Sequence, residues 1–157
     1  MIEIRNSNNR NESERETWCS QCFAVFVRNT WQWNARKQHE FKSMGIPARV
    51  CPGCFQVMND LPHGILSLIG VKDKIQLAAI LKEVTTIAND AFDRDPLVRI
   101  IRIQEKSDEV VVYTTDAAIA KKMGRYINRA HHGSLSVDAS ERERVARVVW
   151  IFKPKSR

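Results

Sequence analysis

"LVRIIRIQ" at residues 97–104 and "EVVVYTT" at residues 109–115 flank the polar tetrapeptide "EKSD" at 105–108. Two runs rich in β-branched side chains around a short polar turn predict a β-hairpin. The segments on either side of this hairpin decide the fold. Upstream, residues 72–92 carry Leu77, Ile80, Leu81, Val84, Ile87, Ala88 and Ala91 at helical spacing on one face, and Pro96 ends the connection. Before that helix, "GILSLIGV" at 64–71 reads as a buried strand. Downstream, Asp116 is the expected N-cap of a second helix running to about His132, with Ile119, Met123, Tyr126, Ile127 and Ala130 at amphipathic spacing and Gly133 as its stop. "SLSV" at 134–137 and "VARVVWIF" at 145–152 predict two more strands, and in the last of these Trp150 alternates with Ala146, Val148 and Phe152, a core pattern. The order is that of a ferredoxin-like β-α-β-β-α-β sandwich with one extra short strand, an α+β fold.

"NDLPHG" at 59–64 marks the start of this domain, and all four cysteines lie before it, in "CSQC" (Cys19, Cys22) and "CPGC" (Cys51, Cys54) with 28 residues between the pairs. Taken alone, "CPGC" is either a redox couple or half of a metal site. A thioredoxin-type pair should close a strand and open a helix within a βαβ unit, and it needs no second pair. Here Cys51 follows "GIPARV", and Pro52-Gly53 is expected to form the tight turn of a zinc knuckle. Four thiolates at this spacing suit one structural, tetrahedral Zn2+ held by Cys19, Cys22, Cys51 and Cys54, with a redox pair or a plain disulfide as alternatives. The expected organisation is a flexible polar tail at 1–17, a small β-rich zinc ribbon at 18–62 that folds around its metal, and the sandwich at 63–157.

With 157 residues, 43% of them hydrophobic, the chain can bury a substantial core. No uncharged stretch approaches the length of a bilayer span, and the N-terminus lacks the apolar core of a signal peptide. A cytoplasmic location without membrane association is expected, and reduced thiols suit that compartment. The net charge of +7 favours polyanionic partners. It is concentrated in places. Lys121, Lys122, Arg125 and Arg129 lie on the second helix opposite its apolar stripe, with no acid between Asp116 and Asp138. Such a face is either merely solvated or a phosphate-contacting surface. From Arg142 onward, Arg144, Arg147, Lys153, Lys155 and Arg157 oppose only Glu143. In "NTWQWNARK", Trp31 and Trp33 stand close to Arg28, Arg36 and Lys37. These indoles could stack on unpaired bases, or instead shield the zinc and pack on protein.

Catalysis finds little support, and a non-enzymatic protein is expected. His39, His63, His131 and His132 have no carboxylate or serine at a recognisable spacing, and Asp93 and Asp95 read as helix-end solvation. Neither phosphate-loop glycine motif is present. The central strands offer only Tyr113 where an RNA recognition motif would place several aromatics.

The two CxxC pairs, "WQW" at 31–33, "LPHG" at 61–64, "PLVRIIRIQE" at 96–105, "VVVYTTDAAIAKKMGRYINRAHHGSL" at 110–135 and "RVVWIF" at 147–152 together resemble a small bacterial family of zinc-ribbon proteins. The layout is also similar to the N-terminal region of the archaeal and eukaryotic adaptor that binds the large ribosomal subunit during maturation and export, although this chain has two CxxC pairs where that adaptor has four. The resemblance implies one zinc and association with RNA or the ribosome. The expected function is a zinc-binding adaptor for structured RNA, most readily ribosomal RNA or the large subunit. The alternative is a protein–protein module gripping its partner with the ribbon and its tryptophans.

Overall fold

The computed structural model describes residues 15–140, Arg142 and residues 144–155. The expected polar tail therefore lies outside the described residues up to position 14, as do Glu143 and Arg157 of the basic C-terminal interval. The described chain is a mixture of helices and two sheets, and it divides into two compact units, one ending at Cys51 and the other beginning at Pro52.

In the first unit, β1 (Thr17–Trp18), β2 (Val25–Val27) and β3 (Thr30–Gln32) form an antiparallel sheet in that order. Arg28 and Asn29, at φ 54 and 62, make the two-residue turn between β2 and β3, since left-handed backbone at both positions matches the twist of the paired strands. Helix α1 (Ala35–Ser43) follows and was not foreseen from apolar spacing, because Phe41 is its one buried side chain. Its local signals are caps. Asn34 accepts the Lys37 N–H at 3.0 Å, and Gly45 at φ 70 ends the helix while the Ile46 N–H bonds back to the Phe41 carbonyl at 3.0 Å. The chain then returns along β1. The Trp18 indole N–H donates to the Ile46 carbonyl at 2.8 Å, and the Arg49 N–H to the Trp18 carbonyl at 3.0 Å.

The second unit opens with α2 (Pro52–Asn59), followed by β4 (Gly64–Ile69), α3 (Lys74–Arg94), β5 (Ile100–Glu105), β6 (Glu109–Thr114), α4 (Ala117–Ala130), β7 (Gly133–Ser140) and β8 (Val145–Phe152). The expected hairpin is β5–β6, and the five strands run in the order β5-β6-β4-β8-β7. β4 is antiparallel to β6 and parallel to β8, whereas β7 is antiparallel to β8. The last strand thus turns back and inserts beside β4. Burial explains this: Ala146, Val148 and Trp150 of β8 are buried, whereas Val137 of β7 is exposed and suits an edge. The core rows follow the register, Val112–Leu66–Val148 beside Val110–Leu68–Trp150.

All seven predicted apolar positions of α3 enter this core or pack against it. On α4 the buried face is Ile119, Ala120, Met123, Gly124 and Ile127, while Tyr126 and Ala130 are exposed. The stripe is therefore rotated from the expected one. Gly124 is the reason: a Cβ there would stand 2.5 Å from Val148 Cγ1, so its absence lets the helix backbone approach β8. Asp116 caps α4 as predicted, accepting the Ile119 N–H at 3.0 Å. No helix among the described residues is long and apolar enough to cross a membrane.

Candidate metal centre

Cys19 leaves β1 and enters a tight turn. Its N–H donates to the Ala24 carbonyl at 2.8 Å, and its carbonyl accepts the Phe23 N–H at 3.0 Å. Phe23 closes the turn at φ 66, a left-handed conformation that costs a non-glycine residue about 1 kcal/mol, and its ring stacks on Trp18 with 6.5 Å between centroids. The returning segment pairs with Cys19 through an isolated bridge to Arg49, which carries Cys51 to the first cysteine pair. Cys19 Sγ accepts the Cys51 N–H at 3.3 Å and the Gln21 N–H at 3.4 Å.

The expected Pro52-Gly53 turn is replaced by the start of α2. Proline fits the first helical position, where its missing N–H costs nothing and its fixed φ is already helical. Cys51 immediately precedes the helix and Cys54 sits on its first turn. The four Sγ atoms lie within 4.8 Å of one another, Cys22 and Cys51 at 3.8 Å, and no disulfide joins them. A tetrahedron with metal–sulfur bonds of about 2.3 Å has edges of about 3.8 Å, so the four thiolates fit one metal ion. Cys19, Cys51 and Cys54 are buried and Cys22 is half-buried.

Arg99 is a contributor with no signal in the sequence. Its Nη1 donates to Cys54 Sγ at 3.3 Å, the guanidinium lies 4.8 Å from the centroid of Phe92, and Nη2 reaches the Pro96 carbonyl. The Arg99 N–H is in turn held by Thr115 Oγ1 at 2.9 Å. A divalent ion with four thiolates carries a net charge of −2, and a fixed cation donating to one sulfur offsets part of it.

Of the basic residues singled out, Lys122, Arg125 and Arg129 are exposed and Lys121 is half-buried, all opposite the buried face of α4. None of the four takes part in an ion pair among the described residues. Trp33 is 36% exposed, but Trp31 is buried against Phe26 at 5.3 Å and lies under the Arg49 guanidinium. Arg36 on α1 is exposed, and Lys37 pairs with Glu40 at 3.8 Å and covers the Phe41 ring. Tertiary folding also supplies His131 with a carboxylate that local spacing did not offer, Glu83 Oε2 at 2.9 Å from Nε2. Comparison with known protein families, curated proteins and solved structures finds no match for this chain.

Proposed function

We propose that this protein is a non-enzymatic, cytoplasmic adaptor that holds one structural Zn2+ and binds structured RNA, with the large ribosomal subunit as its setting, on a sandwich of ferredoxin-like kind with β8 inserted between β4 and β7. Zinc is the choice because an all-thiolate, four-ligand, largely buried set leaves no open position and matches the soft-ligand preference of that ion. The observation that carries RNA binding is the cationic face of α4. Lys121, Lys122, Arg125 and Arg129 stand together with no acid on the helix, and Tyr126 is exposed beside Lys122 and Arg129, one turn away on either side. Cations without compensating Glu or Asp repel one another, and phosphates would relieve that repulsion. In the first unit, the exposed Trp33 and Arg36 would add a stacking and a phosphate contact. Trp31 is left out of the proposed surface because its indole is already buried.

Sedimentation of lysate through a sucrose gradient tests this directly. The protein is expected with the large-subunit fractions at low salt and at the top of the gradient at high salt. Absence from ribosomal fractions at low salt, together with no retention of purified folded RNA, would remove the proposal. A second reading, a protein–protein module, is favoured by one observation: Phe55 and Met58 of α2 and the adjoining Leu61 are exposed. Binding that survives high salt and is lost in Phe55→Asp would favour that module.

A further inference from the structure

Beyond the outer face of α4, its C-terminal end borders a cleft of about 630 Å3 in the second unit, lined among others by Arg129, His131, His132, Lys153 and Lys155. Among the described residues no carboxylate lines it. Glu83, the acid paired with His131 at 2.9 Å, stands outside the lining. We infer that this cleft is a binding site for a polyphosphate group, as carried by a nucleoside triphosphate or by the 5′ end of an RNA.

Cations near a helix C-terminus are ordinary, since they offset the partial negative charge of the last carbonyls, and that alone accounts for Arg129. It does not account for Lys153 and Lys155, which reach the cleft from the segment after β8. That segment is held in place: the Lys153 N–H donates to the His132 carbonyl at 2.9 Å, as the His131 N–H does to the Ile127 carbonyl at 2.8 Å. Both helix end and strand end are thus bonded where their basic side chains converge. Gly133, another lining residue, leaves room for Trp150 behind it, because a Cβ there would collide with the indole ring. The buried indole N–H has no hydrogen-bond partner among the described residues and adds a partial positive charge behind the wall. The volume lies within the range of about 300 to 1,000 Å3 common for small-molecule sites. Three cations, two imidazoles and no acid call for a ligand of several negative charges at close spacing, which a di- or triphosphate provides and a single carboxylate does not.

The full-length, metal-loaded chain should be titrated by calorimetry at low salt with inorganic tripolyphosphate, ATP and adenosine. Tripolyphosphate and ATP are expected to bind and adenosine is not. Lys153→Gln combined with Lys155→Gln should weaken both ligands at least about tenfold, as expected when two charge-assisted hydrogen bonds are removed. The control pair Lys72→Gln and Lys106→Gln, exposed in the second unit and outside both the cleft and the cationic face of α4, should leave them within about twofold on the same scale. Two otherwise identical oligoribonucleotides then separate the sources. If the one with a 5′-triphosphate displaces ATP and the one with a 5′-hydroxyl does not, the RNA end is the ligand. If ATP binds and neither oligonucleotide displaces it better than the other, the free nucleotide is. Absence of tripolyphosphate binding at millimolar concentration overturns the inference. So does a loss of equal size in both variant pairs, which would indicate general attraction to a basic surface. Neither result bears on RNA binding by the outer face of α4, which shares only Arg129 with the cleft and is read through its own salt dependence.

Discussion

At Gly124 two effects of opposite sign compete. Replacing a mid-helix glycine by alanine gains about 1 kcal/mol of helix propensity. The new methyl would meet Val148 Cγ1 at 2.5 Å, and Val148 is fully buried on the central strand β8, so it cannot swing aside. Overpacking of that kind costs about 1 to 3 kcal/mol, so Gly124→Ala should destabilise the protein by a net amount of up to about 2 kcal/mol, seen as a lower urea midpoint with an unchanged slope. A midpoint raised by the substitution would show that α4 does not pack as closely as described. Arg99 poses a different question at the same scale. Its bond to Cys54 Sγ at 3.3 Å orients a ligand without touching the metal. Groups in that position are worth about 10- to 100-fold in metal affinity, so Arg99→Gln should lose metal to a competing chromophoric chelator at correspondingly lower chelator concentration while still binding one ion per folded chain. Unaltered competition would reduce Arg99 to a packing role.

Among the elements, α4 bears the proposed RNA-binding face. Its cap and its cationic face are set by residues within a few turns of one another. Converting Lys121, Arg125 and Arg129 to Gln together should flatten the dependence of log K on log salt for RNA by roughly two to three units, at about 0.7 to 0.9 for each phosphate no longer neutralised. Trp33→Ala should instead weaken binding with little change of slope, because stacking releases no counterions. An unchanged slope in a folded triple variant would leave the face merely solvated and favour the protein module. Asp116→Ala should cost about 1 kcal/mol by leaving the Ile119 N–H without its cap. Helix α2 teaches the converse. "CPGC" reads as a turn because proline and glycine break helices in their interior, whereas proline at the first position starts one.

For the whole molecule, the two units differ in what holds them. Among the described residues the first buries few side chains, among them Val25, Trp31 and Phe41, whereas the second has a continuous cluster spanning three strands and two helices. Removing the metal by chelation, or substituting Cys54→Ser, should therefore unfold the first unit and spare the second. Trp18, Trp31 and Trp33 lie in the first unit and Trp150 in the second, so the tryptophan emission should shift to longer wavelength while most of the helical circular dichroism persists. Emission unchanged by complete metal removal would refute a structural role for the ion. Acid should act in the same direction, because protons compete with the metal for the thiolates and occupancy falls as pH falls. Three features were determined by the sequence alone: the β5–β6 hairpin, the seven-residue face of α3, and the Asp116 cap. The grouping of the cysteines was legible too. Each depends on neighbours a few residues apart, or on the chemistry of one unmistakable residue type. Tertiary structure alone decided that β8 inserts parallel to β4, that the α4 stripe turns to bring Gly124 inward, and that Arg99 and Glu83 meet Cys54 and His131. Those arrangements join residues tens of positions apart through packing against a shared core, and no local pattern of side chains encodes which distant partner fills a given place.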